Sequence, residues 1–169
     1  MEKYITLKLI PFLLQMSKGY QLDIEDEHVA KFFESKNFAF LATVNKDGSP
    51  QVTPVWIDLV KNNNEGSRII LVNTAKGRLK HKNVSQDPRV SISMIDSETN
   101  PYSMITIKGR VIDQTTKGAN KHIDDLAKRY LGTDTYPAHS ADSERIILKI
   151  EPQKIFYIPP RYTQYLEKI

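Results

Sequence analysis

Along most of this chain apolar residues arrive in short runs of strand length, separated by breaks rich in glycine, proline, asparagine and aspartate, which is the pattern of β-structure with tight connections. Phe38 to Val44 (FAFLATV) predicts a buried strand, Asn45-Lys46-Asp47-Gly48 a hairpin turn, and Gln51 to Leu59 (QVTPVWIDL) its antiparallel partner. Pro54 removes a ladder donor from that partner, so it marks a bulge or a sheet edge, both common places for ligand contact. Further strands are expected at Arg68 to Asn73, at Val90 to Ile95, at Tyr102 to Asp113 and at Arg145 to Ile150 with a resumption through Tyr157. Gly109 in the long Tyr102 strand suggests a barrel-closing bend. Helices are predicted from an Asp23 cap to Ser35, from Leu79 to Gln86 and from Gly118 to Leu131, the last stopped by Gly132. Adjacent strands with few intervening helices favour a mainly β (α+β) fold over a parallel α/β sheet, in the form of an antiparallel barrel with peripheral helices.

At 169 residues the chain is one ordinary domain, and 40% hydrophobic with 26% charged residues is a globular balance. The lack of cysteine excludes thiolate catalysis, cysteine-ligated zinc, iron–sulfur clusters and disulfides, and fits a cytoplasmic location. The apolar run Leu9 to Leu14 contains Pro11 and is far shorter than a membrane span. No small-residue cleavage site follows it, so a secretory signal is disfavoured.

Charge sharpens the picture. The net charge is +4, yet the acid-free stretch Gly66 to Gln86 alone holds five cations, Arg68, Lys76, Arg78, Lys80 and Lys82, leaving the rest at minus one. A local excess of this size suits a small anionic ligand better than a nucleic-acid backbone. The segment Asn73-Thr74-Ala75-Lys76-Gly77-Arg78-Leu79-Lys80-His81-Lys82-Asn83 falls where a strand ends and a helix begins. A helix start offers free N–H groups and partial positive charge, Gly77 permits close backbone approach, and Lys76, Arg78 and Lys80 add donors; a phosphate is the expected guest. A solvated cationic helix face is the alternative reading. In Gln51-Val52-Thr53-Pro54-Val55-Trp56, Gln51 and Thr53 share a face suited to hydrogen-bonding a planar ring, and Trp56 is read as core packing in preference to a stacking platform. His28, His122 and His139 are read as single surface groups, no histidine–carboxylate pair is recognised, and no catalytic residue or metal site is nominated.

The succession LATVNKDGSPQVTPVW, VNTAKGRLKHKN, DPRVSISMID, NPYSMITIKGRV and ERIILKIEP resembles the pyridoxamine-phosphate-oxidase-like, FMN-binding split-barrel family over Glu25 to Tyr157. Within it the chain is similar to the branch that uses the deazaflavin coenzyme F420. The resemblance implies a split-barrel cofactor-binding domain at residues 23–158, an N-terminal extension at 1–22 and a tail at 159–169. It implies that Gln51, Val52, Thr53 and Pro54 line the cofactor ring, that Asn73, Thr74 and Ala75 contact the ring and its side chain, and that Lys76, Arg78 and Lys80 hold the phosphate with Asn83 nearby. It also implies a homodimer with the cofactor at the interface. The arginine and histidine substrate motif of true pyridoxamine phosphate oxidases has no counterpart in Pro159-Pro160-Arg161-Tyr162-Thr163, which argues against vitamin B6 oxidation.

The expected activity is hydride transfer between F420, or alternatively FMN, and a small electron-poor organic substrate. A non-catalytic flavin- or haem-binding protein is the rival from another class. Nucleic acid is disfavoured because no aromatic residue is interleaved between Lys76 and Arg89.

Overall fold

Antiparallel pairing dominates because the strands follow one another through short connections. In the computed structural model, residues 20–62, 66–96, 100–140 and 142–160 are described. Strands β1 to β4 span Tyr20–Leu22, Ala39–Val44, Pro50–Val55 and Ile57–Lys61, and β5 to β8 span Arg68–Ala75, Arg89–Asp96, Asn100–Thr115 and Arg145–Ile158. Helices α1, α2 and α3 span Glu27–Glu34, Leu79–Gln86 and Ala119–Leu131. The sheet order is β3-β2-β6-β7-β8-β5-β4 with β1 added on β8, and every pairing is antiparallel. No described helix is long and apolar enough to cross a membrane.

The expected strand Gln51 to Leu59 is in fact two strands. β3 and β4 lie at opposite ends of the sheet order, yet Trp56 alone separates them in the chain. The sheet therefore curls until its ends meet, and the seam between them carries no ladder, which is the split of a split barrel. Trp56 turns the chain across this seam with its ring stacked on Tyr130 of α3 at 5.2 Å and 8°. Pro54 sits on β3, which pairs with β2 alone, so the edge expected from its missing donor is realised.

Helix α3 bridges the seam from outside. Tyr130 Oη accepts from the Ile57 amide at 3.4 Å and donates to the Asn37 carbonyl at 3.0 Å. Arg129 donates to the carbonyls of Phe33 and Ile57, both at 3.2 Å, and to Asp58 at 2.7 Å. These bonds tie α3, β4 and the α1–β2 connection together. Gly132, at φ 75°, ends the helix in the left-handed region that glycine adopts without strain.

Inside the barrel Leu41, Ile57, Ile70, Ile92, Ile105, Ile107, Leu148 and Ile150 are fully buried, and Val29, Phe32 and Phe33 of α1 join the same cluster. The α1 cap is Asp26, whose carboxylate accepts from the His28 amide at 2.8 Å. Asp23, expected in that role, instead accepts from Glu25 in the preceding turn at 3.0 Å. The register of β7 against β8 shifts between Lys108 and Gly109. A Cβ at Gly109 would stand 2.7 Å from the Glu151 carbonyl oxygen, so this bend needs glycine for close approach of two backbones. The N-terminal extension expected at residues 1–22 falls outside the described residues except for β1, and of the tail only residues 159–160 are described.

Candidate cofactor crevice

The turn from β5 into α2 is made by Lys76 and Gly77, the latter at φ 84°. The Gly77 amide donates to His81 Nδ1 at 3.0 Å, so this N–H is already used within the protein. Arg78 is the N-cap residue of α2, and no acidic residue occupies the first turn. The buried Asn83 holds the helix against the β2–β3 hairpin, donating to Thr43 Oγ1 at 3.0 Å and Asn45 Oδ1 at 2.7 Å. It is a local packing anchor in this structure.

Between α2, the β3 end of the seam and α3 lies a crevice of about 170 Å³ whose lining includes Phe38, Pro54, Trp56, Arg78, Lys80 and Arg145. Asn73 and Tyr136 also border it. Arg145 is 7% exposed, yet no carboxylate among the described residues pairs with it or with Arg78 or Lys80. Burial, then Arg78 and Arg145, hold the Lys80 ammonium below the usual lysine range. Burial likewise lowers Arg145, with Arg78 adding repulsion, though an arginine remains charged. The Arg145 Cζ lies 5.3 Å from the centroid of the Tyr136 ring, and its Nε donates to Asn73 Oδ1 at 2.8 Å. Three cations drawn together without counter-charge are costly to a fold, and an anion at their convergence offsets that cost.

Of the residues singled out by sequence, the crevice gathers Pro54, Asn73, Arg78 and Lys80. Lys76 is half-exposed and paired with Glu144 at 2.9 Å. Ala75 is buried opposite Arg145 in the β5–β8 ladder. Thr74 and Thr53 are turned into the structure, their hydroxyls buried without a partner among the described residues. Gln51 faces the same side as Thr53, while Val52 is exposed on the outer face. Trp56, read as core packing, is half-buried outside the core cluster, where it stacks on Tyr130 and borders the crevice.

Arg145 was not singled out by sequence. Its signal was an arginine opening the apolar run RIIL, at a place in the strand that an inward-facing residue fills. The histidine reading needs correction. His122 is 9% exposed and meets Asn73 Nδ2 through Nδ1 at 3.3 Å, with burial lowering its pKa. The other two form histidine–carboxylate pairs: His28 with Asp26 at 2.9 Å and His139 with Asp124 at 2.7 Å. Neither pair is legible in the sequence, because exposed partners two or fifteen residues apart leave no distinctive spacing. Neither pair lines the crevice. A larger cavity of about 740 Å³ lies beside α1 and includes His28, Ser103 and Tyr157.

Known proteins extend this geometry. The sequence profile of the family described as pyridoxamine 5'-phosphate oxidase matches residues 25–159. Among solved structures, an F420 reductase is similar with a TM-score of 0.62 and 29% identity, over 74% of this chain and 93% of that one. A conserved hypothetical protein of Mycobacterium tuberculosis has a TM-score of 0.59 and 20% identity, over 82% of this chain and 88% of that one. The general stress protein 26 of Bacillus anthracis str. Sterne has a TM-score of 0.53 and 19% identity, over 80% and 94%. These last two share the fold. No curated protein matches the chain.

Proposed function

We propose, from the premise that this chain belongs to the pyridoxamine 5'-phosphate oxidase family, that it is an oxidoreductase holding a phosphorylated flavin-type cofactor in the crevice at the barrel seam. The observation that carries this reading is the convergence of Arg78, Lys80 and Arg145 on one crevice with no carboxylate partner among the described residues. The donor set suits a phosphate: two guanidiniums able to engage oxygens in pairs, and an ammonium beside them. Pro54, Trp56 and Phe38 supply the apolar wall a planar ring requires. When bound, the cofactor supplies hydride-transfer chemistry, and the protein's part is to hold and orient it.

F420 is the first cofactor to test, supported by the similarity to an F420 reductase. FMN is the alternative. A polyanionic cofactor tail requires cations beyond the phosphate site, and Arg89 is occupied by Asp87. Lys82, exposed on α2, is available to meet such a tail.

A homodimer completes the proposal. The outer sheet face exposes Phe40 at 44%, Val52 at 54% and Tyr102 at 57%, and Phe40 pairs with Pro54 next to the crevice. A second copy of the chain on this face covers apolar surface and closes the crevice from outside. Sedimentation equilibrium is expected to give twice the chain mass.

The test of function is the absorption spectrum of the purified protein with mass spectrometry of any released ligand. Titrations with F420 and FMN, and turnover with an enone or quinone, accompany it. Binding of a phosphorylated ring cofactor together with turnover is expected. Tight binding without turnover identifies a storage protein, and no binding of either cofactor overturns the assignment.

A further inference from the structure

Arg145 is held in a way that its neighbours in the crevice are not. Its Nε can only donate, and it donates to Asn73 Oδ1 at 2.8 Å. The same Asn73 donates through Nδ2 to the Ala119 carbonyl at 2.7 Å, which can only accept. These two partners fix which end of the amide is oxygen without ambiguity. His122 Nδ1, 3.3 Å from Asn73 Nδ2, is then an acceptor, so the neutral ring carries its proton on Nε2. That nitrogen is buried with no hydrogen-bond partner among the described residues, 3.9 Å from Asp58 Oδ2. The chain His122–Asn73–Arg145 thus runs from α3 across β5 to β8 and ends in the crevice.

We infer that Asn73 and His122 are positioning residues, which aim the Arg145 guanidinium at the phosphate. The inference rests on the cofactor reading above and adds residues to it. With its Nε held by Asn73, Arg145 keeps its terminal nitrogens for the ligand. His122 acts at one remove, by accepting from Asn73 and so opposing a flip of the amide. A flip would turn an NH₂ group toward the Arg145 Nε–H, donor against donor.

The experiment compares FMN with riboflavin, which lacks the phosphate, by fluorescence titration of the full-length protein. The ratio of the two affinities reports the phosphate contribution. Riboflavin affinity reports an intact fold. Arg145→Met is expected to reduce the ratio about 10- to 150-fold, as for removal of a charge-assisted hydrogen bond. His122→Gln, whose amide lies near the level of Nε2, is expected to reduce it about 3- to 10-fold. His122→Asn, whose oxygen replaces Nδ1, is expected to restore it to within about twofold of wild type. In the Arg145→Met background the His122→Gln change is expected to have no further effect, because the two act through one interaction.

Wild-type protein that fails to prefer FMN over riboflavin overturns the phosphate site itself. A preserved ratio in Arg145→Met overturns the role of Arg145 and leaves Arg78 and Lys80 as the anion site. Equal effects of His122→Gln in both backgrounds, or failure of His122→Asn to rescue, overturn the positioning role.

Discussion

Lys80→Met separates the cost of the cation cluster from its use. Lys80 is half-buried beside two other cations, and its pKa is lowered from 10.5 first by burial, then by Arg78 and Arg145. In the folded state it therefore releases its proton at lower pH than in the unfolded chain. Between the two pKa values the unfolded chain binds more protons, so this residue's contribution to stability rises with pH there. Below that window its charge is carried at full cost. Methionine keeps the apolar stem and removes the charge. Because much of the side chain reaches water, the relief in ligand-free protein at neutral pH is small, between zero and about 1 kcal/mol. Cofactor binding moves the opposite way, weakening by about 1.5 to 3 kcal/mol, or about 10- to 150-fold, when one charge-assisted hydrogen bond is removed. Urea unfolding of the ligand-free protein at neutral and alkaline pH, with FMN and F420 titrations, measures both. The variant is expected to be as stable as wild type or more so at neutral pH, to lose the rise toward alkaline pH, and to bind the cofactor less well. A ligand-free variant destabilised by more than about 1 kcal/mol refutes the picture of an uncompensated cluster. An affinity changed by less than about twofold removes Lys80 from the anion site.

Arg78→Ala is expected to weaken FMN binding by more than about tenfold, whereas Lys76→Ala, which breaks an exposed pair with Glu144, changes it by less than about threefold. Tyr130→Phe takes a partner from the Ile57 amide and the Asn37 carbonyl at the seam and is expected to destabilise by about 1 to 3 kcal/mol, read as a lower urea midpoint at unchanged slope. Gly109→Ala places a methyl 2.7 Å from the Glu151 carbonyl oxygen and is expected to destabilise by about 1 to 3 kcal/mol; a neutral result shows that the β7–β8 bulge yields freely.

The crevice shows how a binding site can be partly visible in a sequence. Arg78 and Lys80 stood out because they are local to one strand-to-helix transition, where the number and order of cations can be counted along the chain. Arg145 stood apart by sixty-five residues from Lys80, and the β5–β8 register alone sets it opposite Ala75. His122 looked like a surface histidine because its helix is polar overall; burial came from the face α3 turns toward β5, where Asn73 waits for it.

Strand positions, the hairpin at Asn45 to Gly48, the close approach at Gly109 and the stop at Gly132 follow from local residue chemistry, so the sequence alone determined a mainly antiparallel fold with a cationic strand-to-helix turn. The split at Trp56, which cations lack a counter-charge, and the bonds spent by Asn73 were decided by tertiary structure. The physical reason is range: turn and alternation rules act over a few residues, whereas the seam and the crevice depend on side chains brought together by the curling of the sheet.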